Sequence, residues 1–514
     1  MSVVLACDLG GTSFRAALVD REGEARATHV IQGPTTRDRL GWSEIDPADW
    51  WRALIEAASA LREAEPTLFS KIRAVAICGV TRTQVFLGRD GEPLRHAITW
   101  RDARAERSVD ALSATLPQDH PERAQINAFH PLARLAWLRD EEEACFRRVT
   151  TILDPKDFLN FKLTGQRASD PISMARLAAA AAPAADGRSL LDAIGAPRSI
   201  LPELREPTAD VARIRDDLPA PFDSLAGVPV ICCSTDTWAA VAGLGALQDG
   251  FAYNISGTTE VFGVMSEERG FADGLMSVDW RGLFQLGGPG QNGADTVAWL
   301  MSLLHPGDAI SPPPVAARLD ALLSARRDPQ PLLFLPYLQG ERTPYWDPSL
   351  RGAFIGLNRA HGAGDLAWAV LEGVAFLNRV VMERAESALG RRVSEIRFGG
   401  GAASNPIWRQ IKADICERPV VTPVAPEPGL LGAAIVAWTG VGEFLTISDA
   451  QHALVKATRR YEPDPTRAAA YRKLFDLYRR SESALAAISR DLAALARQSG
   501  ALPGVHGPLF TFGD

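Results

Sequence analysis

Val3-Val4-Leu5-Ala6-Cys7-Asp8-Leu9-Gly10-Gly11-Thr12-Ser13 begins as an apolar run, places a carboxylate at its end and turns on two glycines. Phe14 to Asp20 is a second strand-like run, and Arg21-Glu22-Gly23-Glu24 makes the next turn. Two apolar runs joined by a glycine-rich tip predict an antiparallel hairpin. The plan returns at Phe251 to Ser256, Gly257-Thr258-Thr259 and Glu260 to Met265. These are two instances of one design without an identity repeat. They divide the chain into 1–246 and 247–514.

Helical patterns fill the intervals. Asp46-Pro47 is an N-cap and first-turn pair, and Trp50, Trp51, Leu54, Ile55, Ala58 and Leu61 follow at helical spacing. Leu366, Ala369, Val370, Gly373, Phe376, Leu377, Val380 and Val381 make an apolar stripe. A strand at Val393 to Phe398 leads to Gly399-Gly400-Gly401-Ala402, and Asn405-Pro406 starts another helix. A long amphipathic helix runs from Asp464-Pro465 to about Arg497. The proline-rich stretch Pro202 to Pro229 and the run His305 to Pro314 read as irregular surface segments. Alternating strands and helices give an α/β protein.

Composition excludes several classes. The 514 residues are 46% hydrophobic and 23% charged, with a net charge of -7, the profile of a globular chain of two to four domains. The acidic balance argues against nucleic acid as a partner, while backbone N–H groups still permit a small phosphate ligand. Met1 to Cys7 has no basic lead and no long apolar core, so it reads as no signal peptide. No apolar run nears 18 residues, so no membrane span is expected. The six cysteines include no C-x-x-C pair, which fits a reducing compartment, the cytoplasm.

Asp8 stands at a strand end beside exposed N–H groups. A carboxylate there suits a Mg²⁺–nucleotide, with Thr12 facing phosphate and Arg15 adding positive charge. The alternative is a plain turn in which Asp8 caps its own backbone. Asp236 follows the strand Val228 to Cys233 at a helix start, and reads either as an N-cap or as a general base for a hydroxyl. No Gly-Lys-Ser or Gly-Lys-Thr occurs, which excludes a P-loop. The Gly288, Gly290, Gly293 spacing contains Pro289 and lacks the downstream acid of a dinucleotide site, so it reads as a glycine-rich loop.

Asp8 to Arg15 resembles the first phosphate motif of the FGGY carbohydrate kinases, a branch of the actin, hexokinase and sugar-kinase superfamily. Gly41 to Pro47 is similar to the early segment of xylulose and glycerol kinases. Ala97 to Arg104 resembles their Ile-x-Trp-x-Asp-x-Arg element. Phe129 to Leu138 fits the first family signature, with Arg134 where lysine is usual. Gly352 to Glu372 fits the second, and Phe334 to Pro344 is close to the xylulose-kinase form. The resemblance spans about residues 3 to 445. It implies two ribonuclease-H-like domains around a central cleft that holds ATP and sugar, the first with the sugar and phosphate site and the second with the nucleotide site.

The resemblance also assigns roles. Asp236 is the catalytic base and a metal-linked residue, and Asp8 is the magnesium-linked aspartate. Gly10, Gly11, Thr12, Ser13 and Arg15 form one phosphate loop, and Gly257, Thr258 and Thr259 the other. Gly400, Gly401, Ala402 and Asn405 hold the nucleoside, with Gly429 to Ala433 bordering the same pocket. Arg82, Thr83, Trp100, Asp102 and Phe129 face substrate. ATP, Mg²⁺ and a small ketose or polyol are the expected ligands, and a homodimer is the expected assembly. Departures concentrate at the substrate. Arg82 is glycerol-kinase-like, Thr83 matches neither subgroup, and Phe129 replaces a tyrosine. D-xylulose leads, with ribulose, glycerol, erythritol and gluconate behind it. A catalytically silent sensor on the same fold is the rival reading.

Overall fold

The computed structural model describes residues 1–33, 36–39, 41–116, 120–304, 314–325 and 327–497. The chain forms two compact units. The first comprises Met1–Leu247 and Pro423–Lys456, and the second Gln248–Thr422 with the segment beginning at Ala457.

In the first unit, β1 (Val3–Leu9), β2 (Ser13–Asp20), β3 (Ala25–Gln32), β4 (Ile72–Gly79), β5 (Asp210–Arg213) and β6 (Pro229–Ile231) form one sheet in the order β5-β6-β4-β1-β2-β3. The expected hairpin is present: β1 and β2 are antiparallel, with Asp8 opposite Arg15. β1 and β4 run parallel. β1 is buried along nearly its whole length, as a strand covered on both faces must be. The helices that matter to the site are α1 (Pro47–Ala64), α2 (Pro131–Glu141), α3 (Pro155–Thr164) and α4 (Asp236–Gly243). The capping role read for Asp46 holds: its carboxylate accepts the Ala48 N–H at 3.0 Å.

The second unit repeats the arrangement. β7 (Phe251–Ser256), β8 (Glu260–Ser266), β9 (Met276–Asp279) and β10 (Phe284–Pro289) precede α5 (Ala363–Leu389), after which β11 (Glu395–Gly399), α6 (Pro406–Cys416) and β12 (Val420–Pro423) follow in order. β7 and β8 form the second hairpin, Ser256 opposite Glu260, and β7 runs parallel to β11. Beyond this the chain returns to the first unit with α7 (Pro428–Gly440), then supplies β13 (Ala457–Tyr461) and α8 (Pro465–Arg497) to the second. The sheet order is β9-β10-β8-β7-β11-β12-β13.

The return of 423–456 differs from a single division at 246/247, which leaves this segment in the second half. α7 is apolar all round and buried along most of its length, so its sequence gives no stripe to show which core it covers. It packs on β1 and α4. Two glycines permit that approach. A Cβ on Gly243 would lie 1.9 Å from the Pro428 carbonyl oxygen, and one on Gly432 would lie 1.8 Å from that of Ala239.

The proline-rich 202–229 stretch is largely irregular, yet it contributes β5 at the sheet edge. The loop expected at 305–314 lies almost wholly outside the described residues. No helix among the described residues is long and apolar enough to cross a membrane.

Candidate active site

In the first unit the parallel strand ends converge. Asp8 is the penultimate residue of β1, Gly79 ends β4, and Gly79 forms a bridge with Thr235. Thr235 is the N-cap of α4, accepting the Trp238 N–H at 3.3 Å. Asp236 is therefore not the cap. Its carboxylate accepts the Thr237 N–H at 2.6 Å and the Thr237 hydroxyl at 3.2 Å. Asp8 does not cap its own turn either. Gly10 N–H bonds to the Ser13 carbonyl at 3.0 Å, and the partner of Asp8 Oδ1 is the Cys78 thiol at 3.6 Å.

These two carboxyls stand apart chemically. Burial pushes Asp236 up to about 6, against the two bonds from Thr237. Burial and then repulsion from Asp236 push Asp8 up to about 7, against Arg15. Each is thus close to taking a proton near neutrality, the condition for acid–base work. A Cβ on Gly429 would sit 2.4 Å from Asp8 Oδ2, so α7 meets Asp8 at a glycine. The Gly429 to Ala433 element accordingly belongs beside Asp8, in the first unit. Arg15 pairs with Glu427 at 3.3 Å. At the hairpin tip Gly11 and Thr12 are exposed, and the Ser13 Oγ is buried without a hydrogen-bond partner.

A frame of buried polar groups holds the next loop. Gly41 to Pro47 and Ala97 to Arg104, two separate stretches of the family resemblance, are knitted together. Thr99 N–H bonds to the Ser43 carbonyl (3.0 Å) and Ala103 N–H to that of Gly41 (2.9 Å). Asp102 is fully buried and accepts the Ser43 N–H (2.6 Å), the Arg104 N–H (2.9 Å) and the Arg104 guanidinium (2.6 and 2.9 Å). Arg104 lies over the Trp42 ring at 3.7 Å. Asp102 is thus a framework carboxylate with both oxygens engaged in holding these two stretches together. Arg134, also fully buried, donates to the carbonyls of Arg82 (2.6 Å), Trp100 (3.1 Å) and Asp102 (3.4 Å). A guanidinium fork can hold three carbonyls in this way where the three donors of an ammonium converge on one point.

Above this frame Arg82 is exposed and left-handed at φ 56°, an uncommon conformation for a long side chain. Trp100 and Phe129 are 41% and 44% exposed. Thr83 is 1% exposed and its hydroxyl accepts the Trp100 N–H at 3.2 Å. It fixes the Trp100 loop from below.

Sequence reading missed the network under Asp236. Lys156 pairs with Asp170 at 2.9 Å and with Asp157 at 2.5 Å, and the Ser234 hydroxyl donates to Asp170 at 2.8 Å. This buried set fixes the turn that presents Asp236. Lys156 and Asp157 follow Pro155 in an unremarkable helix start, and their only sequence signal is that charge falls where the pattern is apolar.

The second unit offers a different surface. Gly257 and Thr258 are exposed at the tip, and Gly257 N–H bonds to the Thr259 carbonyl at 3.0 Å. The loop leans on the Gly288 to Gly293 segment: Ala294 N–H bonds to the Gly257 carbonyl at 3.0 Å, and a Cβ on Gly293 would lie 2.6 Å from the Thr259 carbonyl carbon. Gly400, at φ 88°, passes so close to Ser256 that a Cβ would lie 2.4 Å from its carbonyl oxygen. Gly401 has open space around it. Asn405 is committed on both sides. Its carbonyl caps α6 through the Ile407 and Trp408 N–H groups (2.9 and 3.0 Å), and its amide donates to Asp320 at 2.9 Å. The hydrogen bond from the amide to Asp320 is an exposed one, so Asn405 stays within reach of a ligand.

The donors present fit ATP with Mg²⁺. Two exposed Gly-Thr tips offer backbone N–H groups, the kind of nest that takes phosphate. Among the described residues no group of three or more His, Cys, Asp or Glu side chains could hold a metal. Asp8 and Asp236 suit a cation that keeps waters and phosphate oxygens in most of its positions, as Mg²⁺ does.

Comparison with known proteins agrees with this geometry. Residues 3–243 match the N-terminal domain of the FGGY family of carbohydrate kinases, and residues 252–440 match its C-terminal domain. A xylulose kinase of Escherichia coli K12 is 28% identical over 489 residues, 93% of this chain and 98% of that one. A glycerol kinase of Thermococcus gammatolerans is also 28% identical, over 90% of this chain and 93% of that one. The crystal structure of a gluconate kinase from Lactobacillus acidophilus superposes with a TM-score of 0.82 at 26% identity, covering 96% of this chain and 99% of the other. With both domain matches in chain order and a two-sheet fold shared with solved sugar kinases, the chain belongs to the FGGY family of carbohydrate kinases, phosphotransferases that use ATP with Mg²⁺.

Proposed function

We propose that the chain phosphorylates a terminal hydroxyl of a small neutral ketose, D-xylulose before ribulose, glycerol, erythritol or gluconate. The observation that carries the chemistry is Asp236, placed at the start of α4 with capping left to Thr235 and its carboxyl raised to about 6. Asp236 takes the proton of the attacking hydroxyl as that oxygen bonds to the γ-phosphorus and the bond to the ADP oxygen breaks. Mg²⁺ supplies charge neutralisation on the phosphates when bound. Asp8 orients that charge from the first unit, with Gly10 to Ser13 as its phosphate loop. Gly257, Thr258 and Thr259 serve the γ-phosphate and Gly400 to Ala402 the nucleoside from the second. Arg82, Trp100 and Phe129 are exposed on the sugar side, and the preference for a ketulose follows the xylulose-kinase form of Phe334 to Pro344. The free thiols fit a cytoplasmic enzyme.

The test is ADP release with each of the five acceptors. The highest kcat/KM is expected for D-xylulose. Release that none of them stimulates would overturn the kinase reading for this substrate class, and a higher value for another acceptor would replace xylulose.

A further inference from the structure

We propose that Asp154 is a substrate-contacting carboxyl group, accepting a hydrogen bond from a hydroxyl of the sugar or polyol. This rests on the kinase reading above and adds a residue to its acceptor site.

Asp154-Pro155 has the same form as Asp46-Pro47, yet the two aspartates behave differently. Asp46 caps its helix. Asp154 makes no cap bond to α3, is 4% exposed, and leaves Oδ2 buried with no hydrogen-bond partner in the chain. The cations around it are spent elsewhere. Arg134 holds the carbonyls of Arg82, Trp100 and Asp102, and Lys156 pairs with Asp157 and Asp170. Burial, reinforced by Asp157, pushes the Asp154 carboxyl well above the usual carboxylate range.

Its position is fixed from two sides. Leu153 pairs with Val85 in an antiparallel ladder, so Asp154 emerges next to Gln84, where the Arg82 to Gln84 turn ends. The Gln84 Oε1 is itself buried without a partner. On the other side, a Cβ on Gly79 would lie 3.4 Å from the Lys156 Cβ, and Gly79 bridges to Thr235, the neighbour of Asp236. Residues 154–156 therefore flank both ends of the Gly79 to Gln84 loop that carries Arg82.

A buried acid without a donor lowers stability. A substrate hydroxyl supplies the missing donor, and a site built to bond a hydroxyl discriminates strongly.

The experiment compares Asp154→Leu and Asp154→Asn with the wild-type enzyme, measuring KM for sugar, KM for ATP and Tm. For Asp154→Leu the sugar KM is expected to rise roughly ten- to a hundredfold, the scale of leaving a buried polar group unpaired. Its ATP KM should stay within about twofold, with Tm unchanged or higher. Asp154→Asn keeps an acceptor, so it should lose less sugar affinity; it also serves if the leucine variant does not fold. An unchanged sugar KM overturns the proposal while leaving the kinase reading standing. A fall in Tm with sugar and ATP affinities lost in parallel overturns it too, as a purely structural role. A wild-type enzyme that phosphorylates none of the neutral acceptors overturns both.

Discussion

The two hairpins share a plan and differ in how they treat charge. In the second unit the acid after the tip, Glu260, is 2% exposed and fully matched: Lys412 pairs with it at 3.1 Å and Asn254 donates to it at 2.5 Å. Lys412 in turn packs over the rings of Phe398 and Trp408. In the first unit Asp8 and Asp236 are part-buried, and the cation acting on Asp8 is Arg15, which is itself paired to Glu427. One fold thus places a neutralised acid behind one phosphate loop and two unneutralised acids behind the other. The contrast separates scaffold from chemistry: paired acids hold a loop in place, and unpaired ones stand ready to exchange a proton or meet a cation.

Breaking the matched side should give the largest effect. Lys412→Met leaves Glu260 buried and uncompensated, and is expected to lower stability by about 3–5 kcal/mol, read by urea unfolding. A loss below about 1 kcal/mol would mean that Glu260 is not held by this pair. On the unmatched side the expectation reverses. Asp236→Asn should keep Tm near or above the wild-type value while kcat falls roughly a hundredfold or more, the scale of a general base. Near-normal kcat in a folded variant would remove Asp236 from that role.

The pH dependence sharpens the same contrast. Asp236 and Asp8 hold protons in the folded chain up to about 6 and 7, against an ordinary 3.8. The stability linked to that uptake is fully present below about pH 4 and is lost as pH rises through 6 to 7. Asp8→Asn should therefore match the wild type near pH 4 and exceed it by about 1–3 kcal/mol near pH 8. Activity should run the other way, with kcat/KM falling below about pH 6 as Asp236 takes up a proton. Parallel stability curves for variant and wild type would show that Asp8 ionises normally. The smallest effect is expected at Asn405→Ala, where loss of the α6 cap should cost about 1 kcal/mol with ATP KM unchanged. A severalfold rise in ATP KM would place Asn405 at the nucleoside.

Both hairpins were legible because apolar runs around a Gly-Thr tip are a local signal, and α8 because its amphipathic pattern is long. The destination of α7 was not, since a helix apolar on every side carries no direction. Carboxylates were the hardest to sort. Asp46, Asp102, Asp154 and Asp236 each stand beside a turn or a helix start. What distinguishes them is which donors reach them: a helix amide for Asp46, Arg104 for Asp102, Thr237 for Asp236 and nothing for Asp154. Each of those donors lies within two residues of its acid, and Asp102 also takes the Ser43 N–H from across the fold. The neighbour is written in the sequence; whether it bonds is settled only by the folded backbone.

The return of residues 423–456 to the first unit has a consequence for synthesis. β1 leaves the ribosome early, but the helix that covers it follows some four hundred residues later. Until then a buried-type strand and the α4 face keep an apolar flank uncovered, a surface open to misassociation and to chaperones. A fragment ending at residue 246 would carry the same uncovered flank permanently. The first unit, although it begins the chain, is among the last parts able to finish folding.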